Sequence, residues 1–193
     1  MSPILTGIIA SGISGNLTPP WSPEGGYDAL ASATLSTTTS SVSFNGIPSG
    51  YKHLQIRYLI RNDTAAYFLR TQVNNVPSAT YYTGHYLSGD GSSVTAGSYQ
   101  GATTADAGIL MPRASATTGY FTAGIIDILD YNSSTKYKTF RGLGGYDINA
   151  AGGKIELNSG FYFGDTNPIT SLTFGFTAGS FVANSQFALY GVK

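Results

Sequence analysis

A period of two dominates this chain. Between His53 and Arg61, Leu54, Ile56, Tyr58 and Ile60 fall on one side of an extended backbone. His53, Gln55, Arg57 and Arg61 fall on the other, with Leu59 the one apolar residue among them. That spacing describes a strand with one face in a core and the other in water or against a partner. The period returns where Tyr67, Leu69, Thr71 and Val73 alternate with Phe68, Arg70 and Gln72. It returns again where Ile155, Leu157, Phe161 and Phe163 alternate with Glu156, Asn158 and Tyr162, and where Leu172, Phe174 and Phe176 alternate with Ser171, Thr173 and Gly175. In each case the more apolar set is expected to face the core.

The stretches between these segments are turn-formers. Gly46 to Gly50 precedes the first strand, Asn62-Asp63 follows it, and Asn74-Asn75 with Pro77 closes the next. An antiparallel hairpin is therefore expected between the strand ending at Arg61 and the one ending at Val73. Weaker strands are expected over Ala29–Thr37, Ser41–Phe44, Tyr81–Leu87 and Ile109–Met111, the last ended by Pro112. Thr95 to Asp106 reads as small, polar and turn-forming, inside a long irregular region from Pro77 to Thr118. The apolar run from Tyr120 to Tyr131 lacks a helix cap and is expected to be a strand turning into Lys136–Phe140. Gly142, Gly144 and Gly145 then suggest a bulge or corner. Phe187–Val192, apolar on both faces, is expected to lie centrally in a sheet. About ten short strands at roughly ten-residue spacing are the signature of a sandwich or barrel. The expected fold is all-β, an antiparallel β-sandwich of jelly-roll-like type over residues 27–193.

Residues 1–26 differ from the rest. Ile4, Leu5, Ile8, Ile9, Ile13 and Leu17 are interrupted by glycines that spoil a helix, and a proline-rich stretch around Trp21 makes a semi-rigid spacer. Exposed isoleucines are costly in a free tail, so these seven residues are expected to form an extended attachment arm that docks on another subunit.

The composition excludes several classes of function. Lys plus Arg equal Asp plus Glu at ten each among 193 residues, and charged residues are only 10%. No basic excess exists to neutralise phosphates, so nucleic acid is not an expected partner. No apolar run approaches the roughly 18 residues that a membrane-crossing helix needs, so no membrane insertion is expected. Cysteine is absent, which removes thiolate chemistry and zinc–thiolate sites. A near-neutral chain of this kind tends to associate, and a homo-oligomer is expected.

No pattern for catalysis is present. The two histidines belong to no metal-binding spacing, and no nucleophile elbow or phosphate loop occurs. Asp127 and Asp130, offset by three, should fall on opposite faces of a strand. Asp90, within Ser88–Ser93, is read as a turn residue before a calcium ligand. No catalytic residue, metal site or cofactor is expected. Recognition is better supported, because the 14 tyrosines among Ser, Gly and Asn suit a contact surface. Tyr81, Tyr82, His85, Tyr86 and Tyr99 are the candidate contacts for a partner or glycan. His53, Gln55, Arg57 and Arg61 are the candidate subunit interface.

Four stretches resemble small virion proteins of tailed bacteriophages. They are Leu5-Thr-Gly-Ile-Ile-Ala-Ser-Gly-Ile-Ser-Gly-Asn-Leu17, Phe44 to Arg61 with its Ile-Pro-Ser-Gly-Tyr-Lys-His-Leu-Gln-Ile-Arg core, Asp127 to Thr139, and Ile169 to Phe174 with Phe187 to Val192. The resemblance implies a structural protein of the virion: a head decoration, a head fibre or a tail-fibre component, with other capsid or tail proteins as partners and a trimer as the expected stoichiometry. It carries no catalytic residues, and residues 80–116 match nothing in it. A glycan-binding adhesin that recognises a host surface sugar is the alternative. A hydrolase of surface polysaccharide is weaker, since no two carboxylates stand in register.

Overall fold

The structure, a computed structural model, describes residues 26–64, 68–76, 81–100, 109–149 and 152–193. The attachment-arm residues Ile4, Leu5, Ile8, Ile9, Ile13, Leu17 and Trp21 lie outside the described residues. Twelve strands occur among those described. In the first half they are β1 (Tyr27–Thr34), β2 (Ser41–Asn45), β3 (His53–Ile60), β4 (Phe68–Val73), β5 (Tyr82–Gly89) and β6 (Val94–Gln100). In the second half they are β7 (Ile109–Arg113), β8 (Thr122–Leu129), β9 (Lys138–Tyr146), β10 (Lys154–Tyr162), β11 (Ser171–Phe176) and β12 (Gln186–Val192). They form an all-β sandwich of two antiparallel sheets. The large sheet runs β1-β12-β3-β8-β9-β10-β5-β6 and the small one β2-β11-β4-β7.

The core lies between the sheets and is supplied by one parity of each strand. Leu54, Ile56, Tyr58 and Ile60 of β3 are buried, as are Ile126 and Ile128 of β8 and Phe140 of β9. The small sheet answers with Val42, Phe44, Leu69, Val73, Leu172 and Phe174. Phe174 and Phe187 stack across the gap with centroids 5.2 Å apart, and Phe181 meets Phe187 edge-on at 5.2 Å. Such pairs add about 1 kcal/mol each to the burial they accompany. As expected, β12 has strands on both sides, β1 and β3.

Four expectations are corrected. First, β3 and β4 are not a hairpin: they sit in different sheets, and β4 pairs with β11 and β7. The link between them is held by other segments. Asn62 is fully buried, its backbone N–H donates to the Ser115 carbonyl (3.0 Å) and its side-chain amide to the Ala178 carbonyl (3.0 Å). Second, Val94–Gln100 is a strand. It is an edge strand paired with β5 alone, so exposure rather than turn formation explains its small polar residues.

Third, Gly142, Gly144 and Gly145 make no corner, because β9 keeps a regular register with both neighbours. A Cβ on Gly144 would lie 2.7 Å from the Tyr58 hydroxyl and 2.8 Å from Pro112 Cβ. Glycine there permits close approach of the two sheets. Fourth, β10 is turned over. Glu156, Asn158 and Tyr162 are buried, while Ile155, Leu157 and Phe161 face outward.

Many tyrosines lie over glycines of the adjacent strand. Tyr58 is opposite Gly124, Tyr86 opposite Gly97, and Tyr99 opposite Gly84. In each pair a Cβ on the glycine would collide with the tyrosine ring or hydroxyl. The ring covers the bare backbone of the facing glycine.

Candidate functional site

The register of the large sheet sorts its outer face into rows that cross the strands. Arg57, Ile125, Leu143, Leu157, Leu87 and Ala96 lie side by side in one row. The next row is Leu59, Ala123, Gly145, Ile155, Gly89 and Val94. On the other flank of the first row lie Gln55, Asp127, Arg141, Ser159, His85 and Ser98. Two apolar rows thus border one polar row. Leu59, Leu87, Val94, Ile125, Leu143, Ile155, Leu157 and Phe161 are 39% to 73% exposed, all on this one face.

A groove of about 540 Å³ runs where the first apolar row meets the polar row, floored by Leu87, Ile125, Leu143 and Leu157 and edged by Asp127, Arg141 and His85. The polar row is ordered by its own bonds. Gln55 Nε2 donates to Asp127 Oδ1 at 2.9 Å, and Arg57 Nε donates to Gln55 Oε1 at 2.9 Å. The Arg57 guanidinium also lies over the rings of Tyr190 (4.9 Å) and Tyr27 (5.7 Å). These contacts fold Arg57 towards β12 and β1, away from the centre of the face.

The structure divides the sequence-based candidates. Of the interface set, His53, Gln55 and Arg57 belong to the outer face, although Gln55 is only 7% exposed. Arg61 does not belong with them. β3 ends at Ile60, Arg61 bridges to Ser115, and its guanidinium lies 5.8 Å from the Phe121 ring. Of the contact set, Tyr81 and His85 are exposed. Tyr82 is a core residue, 1% exposed, packed on Tyr162 at 5.2 Å, with its hydroxyl accepting the Val73 N–H. Burial raises its pKa to about 12. Tyr86 and Tyr99 turn inward over their glycines, so the five candidates do not form one contact surface.

Ile125, Leu143, Leu157, Ile155, Asp127 and Arg141 were not singled out as site residues by sequence reasoning. The signal was present in the alternation of β9 and β10, but alternation does not say which parity is covered.

Behind this face, where the small sheet ends, Glu156 is 3% exposed and its Oε2 lies 3.4 Å from Arg113 Nε. Burial raises the Glu156 pKa to about 7, against the opposing pull of Arg113. Arg113 in turn stacks on Phe68 at 4.3 Å. This pair lies on the inner face of the large sheet, with Glu156 buried and Arg113 partly exposed. Asp127 and Asp130 serve separate partners. Asp130 stands beyond the end of β8 at φ 51°, and Lys136, 3.0 Å away, holds its carboxyl below the usual range. The Asp90 carboxylate is filled by the N–H and hydroxyl donors of Ser92 and Ser93, which hold it far below its ordinary pKa. Among the described residues no three His, Cys, Asp or Glu side chains gather as metal ligands.

Three of the four stretches singled out in the sequence, Phe44–Arg61, Asp127–Thr139 and Ile169–Phe174 with Phe187–Val192, meet at one corner of the sandwich. The Tyr131 hydroxyl donates to the Pro48 carbonyl, and Asn132 Nδ2 donates to the Ser49 carbonyl at 2.6 Å. The Asp130 N–H donates to His53 Nδ1 at 2.9 Å. Lys138 is fully buried, and its ammonium donates to the carbonyls of Ser133 (2.5 Å), Lys136 (2.8 Å) and Thr166 (3.0 Å). Ile47 N–H reaches the Thr170 carbonyl, and Lys52 N–H the Val192 carbonyl. These residues form a hydrogen-bonded lock between turns. Searches against known families, curated proteins and solved structures gave no match.

Proposed function

We propose that this chain is a structural component of a tailed-phage particle, a capsid decoration, head fibre or tail-fibre component, whose sandwich is built into an assembly through the outer face of its large sheet. The observation that carries this reading is the gathering of seven exposed apolar side chains, Leu59, Leu87, Val94, Ile125, Leu143, Ile155 and Leu157, in two adjacent rows of one sheet face. Isolated exposed apolar residues need no explanation, but a contiguous patch of this kind marks a surface that is covered in use. The corner lock supports the same reading, since the phage-like stretches among the described residues build a hydrogen-bonded scaffold. The N-terminal arm would attach the chain to other virion proteins, and the location would be the virion.

Mass spectrometry of purified particles from the encoding phage tests it. The protein should be present at a fixed copy number, and deletion of residues 1–26 should remove it from particles while the remainder stays folded. Particles that lack the wild-type protein, or that keep the truncated one, would contradict the reading. The glycan-binding alternative retains Tyr81 and His85 but loses the buried Tyr82 from its candidate surface. Saturable binding on a glycan array would restore it.

A further inference from the structure

We propose that two copies of this chain stack the outer faces of their large sheets about a two-fold axis that runs parallel to the strands, between β9 and β10. This rests on reading that face as an assembly surface, and it names the occupant as a second copy.

The argument begins with rows. Rotation about an axis parallel to the strands carries each cross-strand row onto the same row of the partner. Apolar rows then meet apolar rows and the polar row meets the polar row. A two-fold axis across the strands would instead reverse their order. Placing the axis between β9 and β10 sets β9 over the partner's β10, β8 over its β5, and β3 over its β6.

The register then gives the pairs. Leu143 faces the partner's Leu157, Ile125 faces the partner's Leu87, and Leu59 faces the partner's Val94. Ile155 comes over the partner's Gly145, a large side chain above a bare backbone. In the polar row Asp127 meets the partner's His85. Moving the axis one strand, to between β8 and β9, would set Leu157 against the partner's Arg57. Aligned sheets pack at about 30° to one another, which skews these pairs outward from the axis but keeps the central ones in register. An isologous contact needs a surface that is complementary to itself, and this one is.

The size fits as well. The seven apolar side chains of the two rows are on average about half exposed, which amounts to roughly 600 Å² per copy. The largest patch on an ordinary monomer is about 300–600 Å², and each side of a standard interface contributes about 800 Å². With ten positive and ten negative side chains, no net charge opposes the approach of a second copy. The two-fold stands in place of the trimer expected from the sequence.

Sedimentation velocity on the full chain at about 10–100 µM tests the pairing, a concentration above the micromolar Kd at the weak end for interfaces of standard size. The wild type should run as a dimer. Leu143→Glu and Leu157→Lys should each run as a monomer with an unchanged circular dichroism spectrum, because both positions are half exposed in the single chain. Mixed in equal amounts, the two variants should form a heterodimer, since Glu at 143 of one copy then faces Lys at 157 of the other. If either variant misfolds, Leu143→Ser or Leu157→Ser gives the same loss of dimer without a charge.

A monomeric or trimeric wild type, single variants that remain dimeric, or folded monomeric variants that fail to pair on mixing would each overturn the proposal. A dimer formed by a protein absent from phage particles would leave the pairing intact and remove the virion reading. A particle-borne protein that is monomeric would do the reverse.

Discussion

The two faces of the large sheet are made by the same strands and obey opposite rules. On the inner face, Leu54, Ile56, Ile126, Ile128 and Phe140 are fully buried, and the phenyl rings behind them interlock. On the outer face, the neighbouring residues of those strands are equally apolar at Ile125, Leu143 and Leu157, yet 39% to 51% exposed. Meanwhile the inner face keeps Glu156 and Asn158 beside Arg113, where the four-stranded sheet runs out. Hydrophobicity therefore does not distinguish inside from outside here. What distinguishes them is which side the small sheet covers.

The contrast can be broken most sharply at the core. Phe174→Ala removes the ring stacked on Phe187 and met by Phe44, and should cost about 3–5 kcal/mol in urea unfolding. Leu157→Ala, an equally apolar truncation on the other face, should change the stability of the monomer by no more than about 0.5 kcal/mol. Equal costs would mean that the outer face is covered within a single chain.

Next in size is the corner. Lys138→Met leaves three carbonyls without their shared, fully buried donor residue and should cost roughly 1–3 kcal/mol by the same measurement. A neutral result would mean that water replaces the ammonium and that the lock is dispensable.

Glu156 adds a pH dependence. Its folded pKa of about 7 lies above the ordinary 4.5, so between those values the folded chain holds a proton that the unfolded chain has released. The stability from this group is full below about pH 4.5 and is lost as pH rises through about 7, by at most about 3 kcal/mol. Glu156→Gln should flatten this slope and make the protein relatively more stable at pH 8. The groups facing it are Arg113, Tyr58, Tyr146 and Lys154, and Arg113 keeps partial access to solvent at 23% exposure. An unchanged pH slope in the variant would place the titration elsewhere.

The smallest effect belongs to Tyr58→Phe. The Tyr58 hydroxyl is buried without a hydrogen-bond partner, while its ring covers Gly124. Loss of the hydroxyl should be neutral or stabilising by about 0.5–1 kcal/mol in thermal unfolding. A clear destabilisation would show that the hydroxyl has a partner, such as an ordered water.

The sequence was most legible where one parity is apolar and the other charged or amide. β3 is the clearest case: the expected core residues Leu54, Ile56, Tyr58 and Ile60 are the buried ones. β4 and β2 behave likewise, with Leu69 and Val73, and Val42 and Phe44, buried. β10 was not legible, because both parities are mixed. Ile155 and Leu157 oppose Glu156 and Asn158, but Tyr162 shares the parity of Glu156 and is drawn inward to stack on Tyr82. The fixed inward position of Phe140 also assigns its partner Gly160 to the interior. Period two gives the spacing of the two faces, and only neighbours choose between them.

The same limit governs the site. The polar half of the outer face was readable from β3, in His53, Gln55 and Arg57. The apolar half on β8, β9, β10 and β5 was not, because its residues look like core. Arg61 was misplaced because the strand ends one residue earlier than its pattern. Pairing of strands distant in sequence was equally invisible, as β3 and β4 show. The hydrogen bonds that separate them come from Ser115 and Ala178.

Hydroxyl-radical footprinting of the wild-type chain across a dilution series tests the central claim most directly. Leu143 and Leu157 should be protected at high concentration and become labelled on dilution. Tyr137, 57% exposed and outside the strands of the sheet, should label at a constant rate. Labelling of Leu143 and Leu157 that is rapid and independent of concentration would contradict a self-covering outer face.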